Sequence, residues 1–231
     1  MHLVRVSCRE DRTDSTDFAE ELIIEGGPLL SKGNYIVLIH GYNNTYREAQ
    51  DFYENIRNRY SEWVDWEKSP HDGIVEFYWP SSWAASIGFI PARRRAGRAA
   101  RFLREFIQRS YLASGATFTL VSHSLGAEVV LPLITSDDPV DRMMIRNAVL
   151  AAPAIANNRI KKLFVQTKVL FSRRDEVLGR VYRALHWFRA ALGFTGPDKP
   201  VVRMTAIDMS DSIFGHSDYQ NSRKFIEEIS Q

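Results

Sequence analysis

Cysteine is nearly missing: Cys8 is the one thiol in 231 residues, so no disulfide can close within the chain. Such usage fits a reducing compartment. No Cys/His cluster has the spacing of a zinc site, and neither a metal nor a cofactor is expected. Long apolar runs are missing too. None approaches the ~20 residues that a membrane span needs, and the N-terminal MHLVRVSCRED has no signal-peptide core. The expectation is a cytoplasmic chain without a transmembrane segment. An excess of one charge is also missing. Thirty basic residues against 28 acidic ones leave +2, too little to point to a nucleic-acid partner. Internal repeats and low-complexity linkers are absent.

What is present is ordinary globular composition, with 45% hydrophobic and 25% charged residues. That balance excludes disordered, collagen-like and coiled-coil classes. A chain of this length buries well over half of the surface that its unfolded form exposes. One domain over residues 1–231 is expected.

Short β-branched runs alternate with longer helical patterns. Tyr35–His40 is an almost continuous apolar run, the mark of a strand buried on both faces. Turns at 26–28 and 32–34 precede it, which leaves Glu21–Ile24 as an edge strand. Further strands are expected at Gly73–Trp79, Thr117–Ser122, Asn147–Ala152, Lys168–Phe171 and Val201–Ile207. Helices are expected at Thr45–Arg59, Arg94–Tyr111, Ser124–Ile134, Leu178–Leu192 and Lys224–Ile229, with Pro132 kinking or shortening the third. Ser136–Pro139 and Gly196-Pro197 are read as loops. This rhythm predicts an α/β fold, a mostly parallel sheet with helices on both faces.

The most informative stretch is Thr119-Leu-Val-Ser122-His123-Ser124-Leu125-Gly126. A buried strand runs straight into a helix with a serine at the junction, the context of a nucleophile elbow. The tight turn crowds the positions two residues away on either side. Here they are Ser122 and Gly126, so Ser122 departs from the G-x-S-x-G pattern at its first glycine. The plain alternative is that Ser124 only caps the helix. His123 is expected to point away from the pocket.

A second signal is Val37-Leu-Ile-His40-Gly41-Tyr42-Asn43-Asn44, a buried strand that ends in a glycine turn before a helix. Acyl transfer needs two N–H groups aimed at one developing negative oxygen. The candidates are the backbone N–H groups of Leu125 and Tyr42. Asn43 and Asn44 are read as helix-capping residues, and His40 as a buried brace for the loop.

A serine nucleophile needs a base, and the base needs an orienting acid. On this architecture they follow in the order Ser, Asp or Glu, His. After Val169–Phe171 come Asp175, the better placed acid, and Glu176. Only His186 and His216 follow Ser124. His216 lies in a loop beyond the last strand, as a base should, whereas His186 lies within a helical pattern.

These blocks together resemble the α/β-hydrolase superfamily. HGYNN, VEFYWPS, SHSLG, LAAP, Ser172–Asp175 and Gly215-His216-Ser217 are similar to those of bacterial α/β-hydrolases with an HGYNN-type oxyanion motif. The resemblance spans roughly residues 35–220 and implies a catalytic triad of Ser124, Asp175 and His216. Ala154 is a departure, because relatives often carry aspartate there. The implied activity is that of a serine esterase acting on a small-molecule acyl substrate. A non-catalytic binding protein and an acyltransferase with the same triad are the alternatives.

Trp79 and Trp83 are assigned to the substrate-binding region, near the sheet edge where pockets form. The arginine stretch Arg93–Arg104 is read as a solvated face rather than a protein-partner surface. Leu178–Leu192 is read as a surface helix with Val181, Leu185, Phe188 and Leu192 inward.

Overall fold

The computed structural model describes residues 2–10, 17–26, 30–81, 89–185 and 189–231. Eight strands form one sheet in the order β2-β1-β4-β3-β5-β6-β7-β8. They are β1 His2–Arg9, β2 Phe18–Glu25, β3 Asn34–Ile39, β4 Gly73–Tyr78, β5 Thr117–His123, β6 Ile145–Ala151, β7 Gln166–Phe171 and β8 Met204–Asp208. Only β1 and β2 pair antiparallel; the other neighbours are parallel. β4 and β5 are buried along their whole length, and β3 nearly so, as central parallel strands covered on both faces must be. β2 and β8 are the edges, and they are correspondingly more exposed.

Two helical layers cover the sheet. α1 Tyr46–Trp63 packs with the C-terminal helix α7 Arg223–Ile229 and the 3₁₀ turn Asp218–Asn221. On the other side, α2 Phe89–Ser114 packs with α3 Gly126–Ile134 and α4 Pro139–Met144. α1 starts in a capping box: Thr45 Oγ1 accepts from Glu48 N–H, and Glu48 accepts from Thr45 N–H. Its buried side chains Ala49, Tyr53, Ile56 and Tyr60 recur at helical spacing. The cap is therefore Thr45, not Asn43 or Asn44.

Several expectations are corrected. β1 was not anticipated, because its alternating burial rests on pairing with β4. Asp138 caps the short helix α4, accepting from Val140 N–H, where a loop was expected. α3 runs two residues past Pro132. The continuous helix expected at Leu178–Leu192 is broken instead. It begins as a π-helical turn, Val177–Tyr182, continues as α5 Arg183–Leu185, and resumes as α6 Leu192–Thr195. Val181, expected inward, is 46% exposed, while Leu178 and Leu192 are buried. His186, Trp187 and Phe188 lie outside the described residues, as do Trp83 and the turn at Gly27-Pro28.

The arginine face is not merely solvated. Arg93 and Arg159 both pair with buried Glu128, and Arg104 bridges Asp138 and Asp141. Arg95 donates to the Pro80 carbonyl, and Arg98 lies over the Phe18 ring. Among the described residues, no helix is long and apolar enough to cross a membrane.

Candidate active site

The carboxyl ends of β3, β5, β6, β7 and β8 stand side by side along one sheet edge, so the loops that follow them converge there. β5 ends at His123, and the chain turns at Ser124 with φ 54°. A non-glycine residue held there costs about 1–3 kcal/mol and persists only where its surroundings enforce it. Here Ser124 N–H donates to Ala151 O (2.9 Å), and the Ser124 carbonyl accepts from Ala127 and Ala154. Leu125 is the N-cap position of α3, so its N–H belongs to the first turn, where intrahelical acceptors are lacking.

The elbow leaves no room for side chains nearby. A Cβ on Gly126 would lie 2.6 Å from His40 O and 2.8 Å from Ile39 O. One on Gly41 would lie 2.9 Å from Ser124 Cβ. Both glycines let the β3 loop lie directly on the serine turn. Ser122 takes the place of the first glycine and is buried, its hydroxyl without a protein partner among the described residues.

His40 holds this loop from below, as expected. Its ring Nδ1 donates to Gly41 O (3.0 Å), and Nε2 accepts from Trp79 N–H (3.2 Å). Burial, helped by the Arg9 charge, pushes its pKa down to about 3, so the ring is neutral. Trp79 stacks on that ring and donates its indole N–H to His40 O (2.9 Å). Trp79 is fully buried and lines neither cavity beside Ser124, so its assignment to substrate binding is corrected. It braces the loop because an indole N–H inside a core must find an acceptor. Farther along, Ser81 accepts from Asn43 and Asn44 N–H, and buried Arg9 donates to Asn44 O (3.0 Å).

The histidine and the acid arrive on separate loops. Asp175 is fully buried; one carboxylate oxygen accepts from Leu178 N–H (3.0 Å) and the other meets His216 Nδ1 at 2.6 Å. His216 Nε2 lies 2.8 Å from Ser124 Oγ. Glu176, the second acid considered, is exposed and pairs loosely with Arg180. The His216 loop is held by Asp218, which accepts from Phe214 and Gly215 N–H.

His123 corrects another expectation. Its ring does not point away: it packs against the His216 ring, centroids 4.7 Å apart, and Nε2–H donates to His216 O (2.8 Å). Burial first, then the neighbouring His216, lowers its pKa to about 3, so it donates as a neutral ring. No sequence pattern marks a contact between residues so far apart in the chain. Nor does one mark Asp218: Asx turns accept from N–H groups that follow the carboxylate, whereas Asp218 accepts from Phe214 and Gly215, which precede it.

Two cavities meet at Ser124, His216 and Tyr42. One, of about 350 Å³, has a mixed polar and apolar lining and reaches Asn43, Asn55, Ser217 and Gln220. The other, of about 140 Å³, is almost wholly apolar. Among the described residues no group of acids, histidines or cysteines is arranged to hold a metal ion. Cys8 is buried, and burial pushes its thiol pKa up, so it is not a nucleophile near neutral pH.

A mostly parallel sheet with a strained serine turn at the end of a central strand defines the α/β-hydrolase fold. The chain belongs to the family described as alpha/beta hydrolase of unknown function (DUF900), whose model matches residues 28–225. Among solved structures it is similar to Aspergillus fumigatus lipase B, at 8% identity and TM-score 0.50, over 81% of this chain and 49% of the lipase. The chain thus spans about half of that lipase. It is also similar to esterase PE8, at 16% identity and TM-score 0.50, over 88% of this chain and 95% of the esterase. Identities this low speak for the fold alone. Among curated proteins, none matches the sequence significantly.

Proposed function

We propose that this α/β-hydrolase is a serine hydrolase that cleaves a carboxylic ester or related acyl bond. The observation that carries the reading is the unbroken relay from Asp175 through His216 to Ser124, at 2.6 and 2.8 Å. In this reading Asp175 accepts from Nδ1–H of His216 and leaves Nε2 as the acceptor. His216 takes the Ser124 proton as Oγ bonds to the substrate carbonyl carbon. The carbonyl oxygen becomes an oxyanion, held by the Leu125 and Tyr42 N–H groups. As the intermediate collapses, His216 gives its proton to the departing alcohol oxygen. Water then attacks the acyl-enzyme, losing a proton to His216. Collapse of the second intermediate returns that proton to Ser124 Oγ and releases the acid. None of these steps calls for a cofactor.

The test is covalent labelling by a fluorophosphonate, read by intact mass and peptide mapping. A single adduct on Ser124, lost in Ser124→Ala and in His216→Ala, is expected. Both variants should lose at least about a thousandfold in turnover while melting close to the parent. A folded protein that takes no adduct, or Ser124→Ala with retained turnover, would remove the reading.

A further inference from the structure

The two cavities beside Ser124 differ in chemistry, and that difference orients a substrate between them. A leaving group must receive its proton from His216 Nε2. Ser217 and Gln220, on the His216 loop and the turn after it, line the larger, mixed cavity and not the apolar one. His216 borders both cavities, so it can protonate a leaving group on either side. The almost wholly apolar cavity takes the acyl carbons because their burial there is favourable, and the alcohol is left to the larger one.

That cavity is walled by Phe89 at the start of α2, Ala154 after β6, and Val177, Leu178, Val181 and Tyr182 of the π-helical turn. Leu178, Tyr182 and Ala154 are buried. The Tyr182 phenol is pushed up to about 12, chiefly by burial, so it stays uncharged at neutral pH. Val177 and Val181 are 44% and 46% exposed, so they form the mouth. The volume, about 140 Å³, is close to the ~150 Å³ of an apolar protein cavity known to hold benzene, a six-carbon guest.

We infer that this cavity is the acyl subsite of the enzyme, sized for an apolar acyl group of about six carbons. The assignment rests on the serine-hydrolase reading of Ser124. Carbons beyond about the sixth pass the valines at the mouth and return to water. Each methylene placed inside should raise kcat/KM by up to about fourfold, and each one outside should add nothing. Ala154 sets the depth. Leucine there brings three more carbons into the cavity and should shorten the preferred chain by about as many.

The test is a series of p-nitrophenyl esters from acetyl to dodecanoyl, kept below their micelle concentrations. A small fluorophosphonate is used in parallel to verify Ser124. The expected profile rises to about hexanoyl and then breaks. In Ala154→Leu the break should move to about propanoyl or butanoyl. Val181→Asp changes a half-exposed position, where folding is not at risk. It should lower the hexanoyl-to-acetyl ratio at least about fivefold by placing a charge at the mouth. With Ser124 labelled, three results would each overturn the subsite: a rise unbroken to dodecanoyl, no rise beyond acetyl, or a profile unmoved in both variants. Absence of labelling would instead overturn the serine-hydrolase reading, and this inference with it.

Discussion

At the scale of single residues, the relay depends on neighbours that donate to the backbone of a loop. His123 has one ring proton, and it goes to the His216 carbonyl. Removing that donor leaves a part-buried carbonyl short of a partner and the His216 loop freer to move. One hydrogen bond of this kind contributes about 1 kcal/mol, or roughly fivefold in the population of the aligned geometry. His123→Leu is therefore expected to lower kcat by about fivefold. His123→Gln, which keeps an N–H donor, should recover most of it. The pH profile of turnover should be alike in the parent and both variants, since His123 is neutral down to about pH 3. A shifted profile in His123→Leu would mean that the ring acts on the proton of His216 rather than on its position.

At the scale of elements, the β5 to α3 turn is held by backbone approach. A methyl group on Gly126 would meet two carbonyl oxygens of the β3 end, neither of which can swing aside as a side chain would. Gly126→Ala is expected to cost about 1–3 kcal/mol and to reduce turnover sharply, because the loop it displaces carries Tyr42. Gly97 gives the contrast. It is exposed within α2, and a Cβ there meets nothing within 4 Å. Gly97→Ala should stabilise by about 0.5–1 kcal/mol through helix propensity alone. Urea unfolding of both variants, with turnover in parallel, checks the pair. The broken helix at 177–195 belongs to the same scale. Apolar spacing alone reads as one amphipathic helix there. The chain instead seats Leu178 and Tyr182 beside the serine, puts Gly193 against the Ala152–Pro153 backbone, and pairs Ser172 N–H with Gly193 O.

At the scale of the whole molecule, three histidines are stored neutral. His40 and His123 are lowered to about 3 and His71 to about 4, each first by burial. In the unfolded chain each titrates near 6.5. Between about pH 6.5 and 3–4 the unfolded state therefore binds more protons than the folded state. Stability is full above about pH 6.5 and is lost as pH falls through that window. The urea midpoint should stay level from pH 7.5 to about 6.5 and then drop steadily to pH 4.5. His71 lies away from Ser124, bonded to Tyr60 and Thr119. His71→Gln should flatten part of that slope while leaving the pH dependence of turnover alone. A midpoint that stays level to pH 5 would show that these rings are not held neutral.

What the sequence determined by itself was local or periodic. Continuous apolar runs marked β3, β4 and β5 because a doubly covered parallel strand has no solvent face. The elbow was legible because a positive φ and a close approach demand small residues in a set spacing, and the order of Ser124, Asp175 and His216 follows the order of the strands. Tertiary structure alone decided what depends on contacts between distant segments. β1 was invisible until paired with β4. Trp79 looked like a pocket residue but is sealed against His40, and His123 looked idle but binds the loop of His216, 93 positions along the chain. The apolar cavity exists only because the turn at 177–182 comes together with Phe89, Ala154 and Ser124 from distant parts of the chain. Burial and cavity shape belong to the assembled core, and no short window of sequence contains them.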